Sequence, residues 1–410
     1  MKTKLKKKVF VGLSGGVDSS VSAALLKEAT PKNFKKLFGR PTPKGFRGYD
    51  VAGVFIKVWQ PFDEAQGKPL TPCTWREERR DAMRVCAKLD IPFLTFDFEK
   101  IYKKEVADYM IAEYKAGRTP NPDVMCNKEV KFGAFFKKAL SMGADYIATG
   151  HYARLRLARR KSKVLKGKKL YKLDEHYKLL TACDSTKDQS YFLWTLKQDQ
   201  LKRILFPVGH LKKSQVRKLA KKYGLHTFKK KDSQGICFLG KLDMKEFLQH
   251  FIKPKSGRVL DINGKTIGKH NGATFFTLGE RHGFTITKKT NHDRPYYIIA
   301  KDIKKNTITV SQNLSGDIEE PVSMSRPVLD IEDTNWISRF PKNYNLKAKT
   351  YSCQVRYHGE FLPCKIEIKF GNKARVIFSP GLPRQSFQVA AGQSIVIYDK
   401  DICLGGGIVK

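Results

Sequence analysis

No stretch of this chain approaches the ~18 consecutive apolar residues of a membrane-spanning helix. The basic run from Lys4 to Lys8 precedes an apolar run broken at Gly12 and Ser14, shorter than the roughly 7 to 15 residues of a signal-peptide core. A soluble, cytoplasmic protein with no membrane partner is expected. Acidic residues are scarce, 39 against 79 Lys and Arg over 410 residues, for a formal charge of +40. A field of that sign favours polyanions, nucleic acid or an anionic surface, although a general lysine bias of the source gives the same sum. The sequence also lacks any C-x-x-C pair, its eight cysteines lying at positions 73, 86, 126, 183, 237, 353, 364 and 403. That scatter excludes a zinc-finger pattern and a disulfide framework, so a cysteine that matters chemically acts as a thiol. There is no internal repeat, and the length suggests about two or three domains of roughly 100 to 200 residues.

What is present is organised around Val9-Phe10-Val11-Gly12-Leu13-Ser14-Gly15-Gly16-Val17-Asp18-Ser19-Ser20. A β-branched apolar run, two glycines between hydroxyls and a helical pattern from Val17 predict strand, tight loop and helix N-terminus. Such a turn aims unpaired backbone N–H groups and a helix dipole at one spot, and its glycines admit a phosphate closely. It is an anion cradle. The lysine of the Walker pattern is missing, which disfavours an ordinary P-loop NTPase. Further on, strands at Asp50 to Trp59, Phe93 to Phe96 and Asp145 to Thr149 alternate with helices at Trp75 to Lys88, Ile101 to Lys115 and Lys131 to Ser141. That alternation predicts an α/β fold with a parallel sheet and ligands beyond its carboxyl ends. Residues 30 to 48 and 158 to 172 read as insertions, the second as a basic hairpin. Lys212 to Lys222 reads as a basic helix.

Two cysteine segments stand out. Gly117-Arg118-Thr119-Pro120-Asn121-Pro122-Asp123-Val124-Met125-Cys126-Asn127 reads as a rigid irregular loop, because two prolines fix φ and remove donors. Asp232-Ser233-Gln234-Gly235-Ile236-Cys237-Phe238 reads as a polar turn. Taken alone, each cysteine is more simply a small buried hydrophobe than a nucleophile.

Their order along the chain changes the reading. Ser14-Gly15-Gly16-Val17-Asp18-Ser19 is similar to the pyrophosphate loop of ATP pyrophosphatases. It is followed in turn by Asn121-Pro122-Asp123 with Cys126-Asn127, Ala148-Thr149-Gly150-His151-Tyr152-Ala153, Lys187-Asp188-Gln189-Ser190-Tyr191 and Gly235-Ile236-Cys237-Phe238. Arg356-Tyr357, Gly392-Gln393-Ser394 and Cys403-Leu404-Gly405-Gly406-Gly407 extend the series nearly to the C-terminus. The whole resembles the tRNA-specific 2-thiouridylases of the MnmA type. That resemblance implies a pyrophosphatase-type α/β catalytic domain over 1–240, a small central domain over 241–315 and a C-terminal β-barrel over 322–410. It implies ATP-dependent adenylation of the wobble uridine of tRNA, then sulfur transfer from a cysteine persulfide, giving 2-thiouridine, AMP and pyrophosphate. Cys237 matches the persulfide carrier, Cys126 the second cysteine and Asp123 a base or orienter. Gly12, Leu13, Ser14, Gly15, Gly16, Val17, Asp18, Ser19, Ile56 and Gly150 match the nucleotide contacts, with Asp18 near an expected magnesium ion. Asn121, Pro122, Asp123, His151, Lys187, Asp188, Gln189, Arg356, Tyr357 and Gln393 match contacts to tRNA, and a desulfurase or relay protein is the implied sulfur donor.

The chain departs from the pattern at Ile56, where the family often has Met, and at Val58, where it often has Asn. Three alternatives stay open at this level. Cys126, Cys183 and Cys237 are enough thiolates for an iron–sulfur cluster. Another adenylating enzyme, such as an amide-forming or tRNA lysidine synthetase, would need the loop but not the cysteines. A non-catalytic RNA-binding protein would bind tRNA without consuming ATP.

Overall fold

The computed structural model describes residues 6–38, 42, 45–63, 68–69, 75–163, 171–232, 235, 237–238, 243–287, 294–312, 328–337, 349–382 and 389–410. Residues 39–41, 43–44 and 164–170 of the two insertions lie outside them.

The strand Lys7–Gly12 lies at the centre of five parallel strands, in the order Phe93–Asp97, Tyr49–Lys57, Lys7–Gly12, Tyr146–Ala148 and Ile204–Leu205. Its alternate residues enter different cores, Val9 and Val11 one and Phe10 another. A strand buried on both faces is why the run is continuously apolar. Because chain order reverses on either side of this strand, a crevice opens at its carboxyl end. Gly12 ends the strand there, and the helix Val17–Glu28 leaves from it.

The reading of 117–127 as irregular needs correction. A helix begins at Pro122 and continues, with a π-helical stretch at Cys126–Phe135, to Ser141. Asn121 is its N-cap, accepting from the Val124 N–H at 3.2 Å, and Pro122 occupies the first turn. These residues are favoured at a helix start, where the missing proline N–H costs nothing. The helix predicted from Lys131 therefore starts nine residues earlier, and Asp123 and Cys126 sit on it.

The remainder forms two further sheets. Gly257–Leu260, Thr266–His270, Phe284–Ile286, Tyr297–Asp302 and Thr307–Ser311 make a mixed five-stranded sheet. Val328–Trp336, Lys373–Phe378, Leu362–Lys369, Tyr351–Gln354, Ser394–Asp399 and Ile402–Val409 follow one another round a barrel that closes where the first pairs with the last. Arg154–Lys163 and Tyr171–Leu180 form the expected hairpin, and it joins the barrel sheet through Leu179 and Leu180 opposite Cys403 and Ile402. Val396, Tyr398 and Cys403 of the barrel share one buried core with Phe10, Ile147 and Trp194. Among the described residues no helix is long and apolar enough to cross a membrane.

Candidate active site

The crevice at the end of Lys7–Gly12 widens into a cavity of about 500 Å³. Gly12, Leu13, Ser14, Asp18 and Ser19 line one end, Ile56 and Gly150 the side, and Asp123 and Cys237 the other end. Gly15 has φ +69°, and a Cβ there would stand 2.5 Å from the Glu78 carbonyl oxygen. The loop is thus closed against the helix Trp75–Leu89 in a way only glycine allows. Ser14 donates its backbone N–H to Ser19 Oγ at 3.2 Å, while Ser19 Oγ donates to the Gly16 carbonyl at 3.2 Å. Gly150 packs on the first turn of the departing helix, where a Cβ would come 2.6 Å from the Ser19 nitrogen.

Beside the loop, cations surround two carboxylates. Asp18 accepts from Lys213 Nζ at 2.8 Å and from the Tyr152 hydroxyl at 2.7 Å. Asp232 pairs with Lys187 at 2.7 Å, Lys213 at 2.9 Å and Arg217 at 2.8 Å. Burial works against the Asp232 charge, but the hydrogen bonds from Lys187 and Lys213 outweigh it and bring the carboxyl down to about 2. A depressed carboxylate adds stability above its unfolded value of about 3.9 and loses it as pH falls through the folded value. Asp232→Asn is therefore expected to be less stable than wild type at pH 7, with the difference shrinking between about 4 and about 2. Urea unfolding of both proteins across that range measures it.

At the other end lie the thiols. Cys126 is buried in the helix and its Sγ is 3.6 Å from Cys237 Sγ. The Cys237 N–H donates to Asp123 Oδ1 at 2.9 Å, and Tyr102 donates its hydroxyl to the Cys237 carbonyl at 2.8 Å. Asp123 thus orients the turn that carries Cys237. Burial raises the Asp123 pKa. The two thiols diverge: burial and the hydrogen bond to its neighbour push Cys126 well up, whereas the bond received from Cys126 and the ammonium of Lys131 bring Cys237 down against its burial. Lys131 feels burial downward, but Cys237, Cys126 and Asp123 carry its net shift upward. Of the two, Cys237 is the one that gives up its proton first, and the thiolate is the form that attacks sulfur.

The sequence reading did not single out Lys131, Tyr102, Lys213 or Asp232. Lys131 stands five residues after Cys126, a spacing that the π-helical turn stacks on one face and an α-helix would not. A lysine between Val130 and Phe132, both fully buried, was the available signal.

The other predicted residues divide. His151 is buried between Phe132 and Phe206, with Nδ1 2.8 Å from Thr149 Oγ1, and burial lowers its pKa well below the ordinary value. Gln189 lines the cavity and accepts the Tyr152 N–H at 3.0 Å. Tyr357 reaches the cavity from the barrel and packs tilted against Phe192 with ring centroids 4.4 Å apart, while Arg356 is exposed beside it. Asp188 turns inward, accepting from the Ala182 N–H and the Ser190 hydroxyl, both at 2.7 Å. Gln393 donates to the Thr119 carbonyl at 2.7 Å and so props the segment entering Asn121-Pro122. Asn121 and Pro122 start the helix rather than line the cavity. Cys183 is exposed, and no group of three or more His, Cys, Asp or Glu side chains among the described residues is arranged to hold a metal.

A glycine loop at the switch point of a parallel sheet defines a nucleotide-binding α/β enzyme of the HUP class. Family models agree: "tRNA methyl transferase HUP domain" matches residues 7–39 and 45–241, "tRNA methyl transferase PRC-barrel domain" 245–312, and "Aminomethyltransferase beta-barrel domain" 326–409. The chain belongs to the family of MnmA-type tRNA-specific 2-thiouridylases. It is 39% identical over 405 residues to "tRNA-specific 2-thiouridylase MnmA" of Streptococcus thermophilus, covering 98% of this chain and 95% of that one. Proteins of the same description from Geobacillus thermodenitrificans and Alkaliphilus oremlandii are each 40% identical over 402 residues, covering 98% of this chain and 94% and 96% of theirs.

Proposed function

We propose that this protein is a tRNA-uridine 2-sulfurtransferase that adenylates O2 of the wobble uridine with ATP and replaces that oxygen with sulfur. The observation that carries the reading is the single cavity with an anion cradle at one end and a thiol pair, 3.6 Å apart, at the other. Adenylation uses the first end and sulfur delivery the second. The loop N–H groups receive the phosphates, Ile56 packs on adenine, and Lys187 and Lys213 neutralise the departing pyrophosphate. Asp18 would be the carboxylate to hold a magnesium ion, once Lys213, which bonds both its oxygens at 2.8 Å, turned to phosphate; the ion would supply further charge neutralisation on the nucleotide.

A donor protein converts Cys237 to a persulfide. The terminal sulfur attacks C2 of the activated uridine, and AMP leaves with the former O2. Cys126 then attacks the inner sulfur of Cys237, giving up its proton to solvent as the S–S bond breaks, so that sulfur remains on the base and a Cys126–Cys237 disulfide remains on the protein. Closing from 3.6 Å to the ~2.05 Å of a disulfide needs a small movement. A cellular thiol reductant resets the pair. His151 stays neutral here and supplies a donor or acceptor for a polar group of the substrate.

The test is nucleoside analysis of unmodified cognate tRNA incubated with ATP, magnesium and a persulfide donor. ATP-dependent 2-thiouridine is expected, abolished by Cys237→Ser while pyrophosphate release continues. Pyrophosphate without a thiolated nucleoside, from the wild type, would move the substrate to another acceptor; tRNA binding without ATP consumption would make this an RNA-binding protein.

A further inference from the structure

A second cavity, of about 440 Å³, opens on the seam between the parallel-sheet unit and the barrel. Tyr357 lines both cavities and is their common wall. Gln354, 6% exposed, lines the second one, and its Nε2 donates to the Gly359 carbonyl at 3.0 Å. That bond fixes the amide, and Oε1 is left buried with no hydrogen-bond partner among the described residues. A buried acceptor without a donor is costly unless something arrives to fill it. The walls are aromatic. Phe361 is 48% exposed and Tyr357 37%, and the His358 ring stands edge-on to Tyr357 with centroids 4.0 Å apart. His358 has φ +57°, a conformation that a non-glycine residue keeps only under local constraint. Lys400 adds positive charge, while Asp188, which accepts from Ala182 and Ser190, and Asp401, paired with Arg154, bring carboxylates to the same wall.

Flat rings, a fixed amide acceptor with two carboxylates nearby, and a cation suit the donor-bearing edge of an unpaired nucleobase, because single-stranded RNA is read by stacking on aromatics and bonding to exposed base edges. We propose that this cavity receives the base next in sequence to the one being modified, stacked beside Phe361 and donating from its Watson–Crick edge to Gln354 Oε1. The inference rests on the reading of tRNA as substrate. With Tyr357 between the two bases, the loop is splayed and the target uridine is directed to the thiols.

Anticodon stem-loops carrying an abasic site immediately 5′ or 3′ of the target uridine test it, with wild type, Phe361→Ala and Gln354→Met. One of the two abasic loops is expected to bind about tenfold more weakly, as is the intact loop to Phe361→Ala. Combined, the two changes should cost no more than either alone. Gln354→Met should weaken the intact loop but not the affected abasic one; Phe361 is half exposed, so its variant keeps the test decisive if Gln354→Met misfolds. An unaffected Phe361→Ala, or losses that multiply, would overturn the assignment of the cavity while normal thiolation of the intact loop leaves the function standing. A wild type that neither binds nor thiolates the intact loop removes the function and this inference together.

Discussion

Replacing Lys131 with methionine is expected to raise the pH at which Cys237 becomes alkylated by about 1 to 3 units, the range for losing an opposite charge within a few ångströms. The Lys131 charge favours the deprotonated form of Cys237 and acts on Cys126 and Asp123 as well, and its ammonium lies 5.4 Å over the Phe238 ring. Without it, only the hydrogen bond from Cys126 opposes burial at the Cys237 sulfur. At neutral pH the thiolate population, and with it persulfide loading, should fall, by at most about tenfold for each unit of that rise. Lys131→Arg keeps the charge and should restore most of the rate. The measurement is iodoacetamide labelling of the Cys237 peptide from pH 5 to 10, run beside sulfur transfer. An unchanged labelling profile for Lys131→Met would mean that the hydrogen bond from Cys126 sets the thiol chemistry.

Gly150→Ala is expected to abolish nucleotide binding, with affinity falling by more than about 100-fold as the loop geometry is lost. A Cβ at 150 would sit 2.6 Å from the Ser19 nitrogen and 2.8 Å from the Asp18 carbonyl carbon. Both are backbone atoms in the first turn of the helix, so neither can rotate away. The loop would have to separate from the end of the strand Tyr146–Ala148, and overpacking of this kind costs the fold about 1 to 3 kcal/mol. Titration with ATP, together with a melting curve, separates the two effects. A folded variant that binds ATP normally would show that the crevice tolerates a wider opening.

The strand, glycine loop and first helix were legible because three local signals coincide there: a β-branched run, small hydroxyl residues and an apolar helical pattern from Val17, although that helix is buried nearly all round rather than on one face. The region around Cys126 was misread for a definite reason. Asn121 and Pro122 look like turn residues, and so they are favoured at a helix start as well; the choice depends on Val124, Val130 and Phe135 being buried, which composition alone does not show. Lys131 was missed because its relation to Cys126 depends on a π-helical turn. The ion pairs of Asp232 with Lys187, Lys213 and Arg217 join residues far apart in the chain, and no sequence spacing reports them. The barrel strands were visible by alternation, but the pairing of the hairpin 154–180 with that sheet was not, since register across distant strands leaves no local mark.

That pairing has a mechanical consequence. The hairpin belongs by connectivity to the catalytic half and by hydrogen bonding to the barrel, where Thr181 also donates its N–H to the Asp401 carbonyl at 2.9 Å. Thr119 does the same toward Ala391 at 2.8 Å, and Asn335 reaches back to the Trp194 carbonyl at 2.7 Å. A joint stitched at three separate places resists pivoting, since any rotation must break at least one set of bonds. Whatever the barrel grips is therefore held at a fixed height and angle above the thiols, and the distance from gripped strand to reacting sulfur is set when the chain folds rather than when the substrate lands.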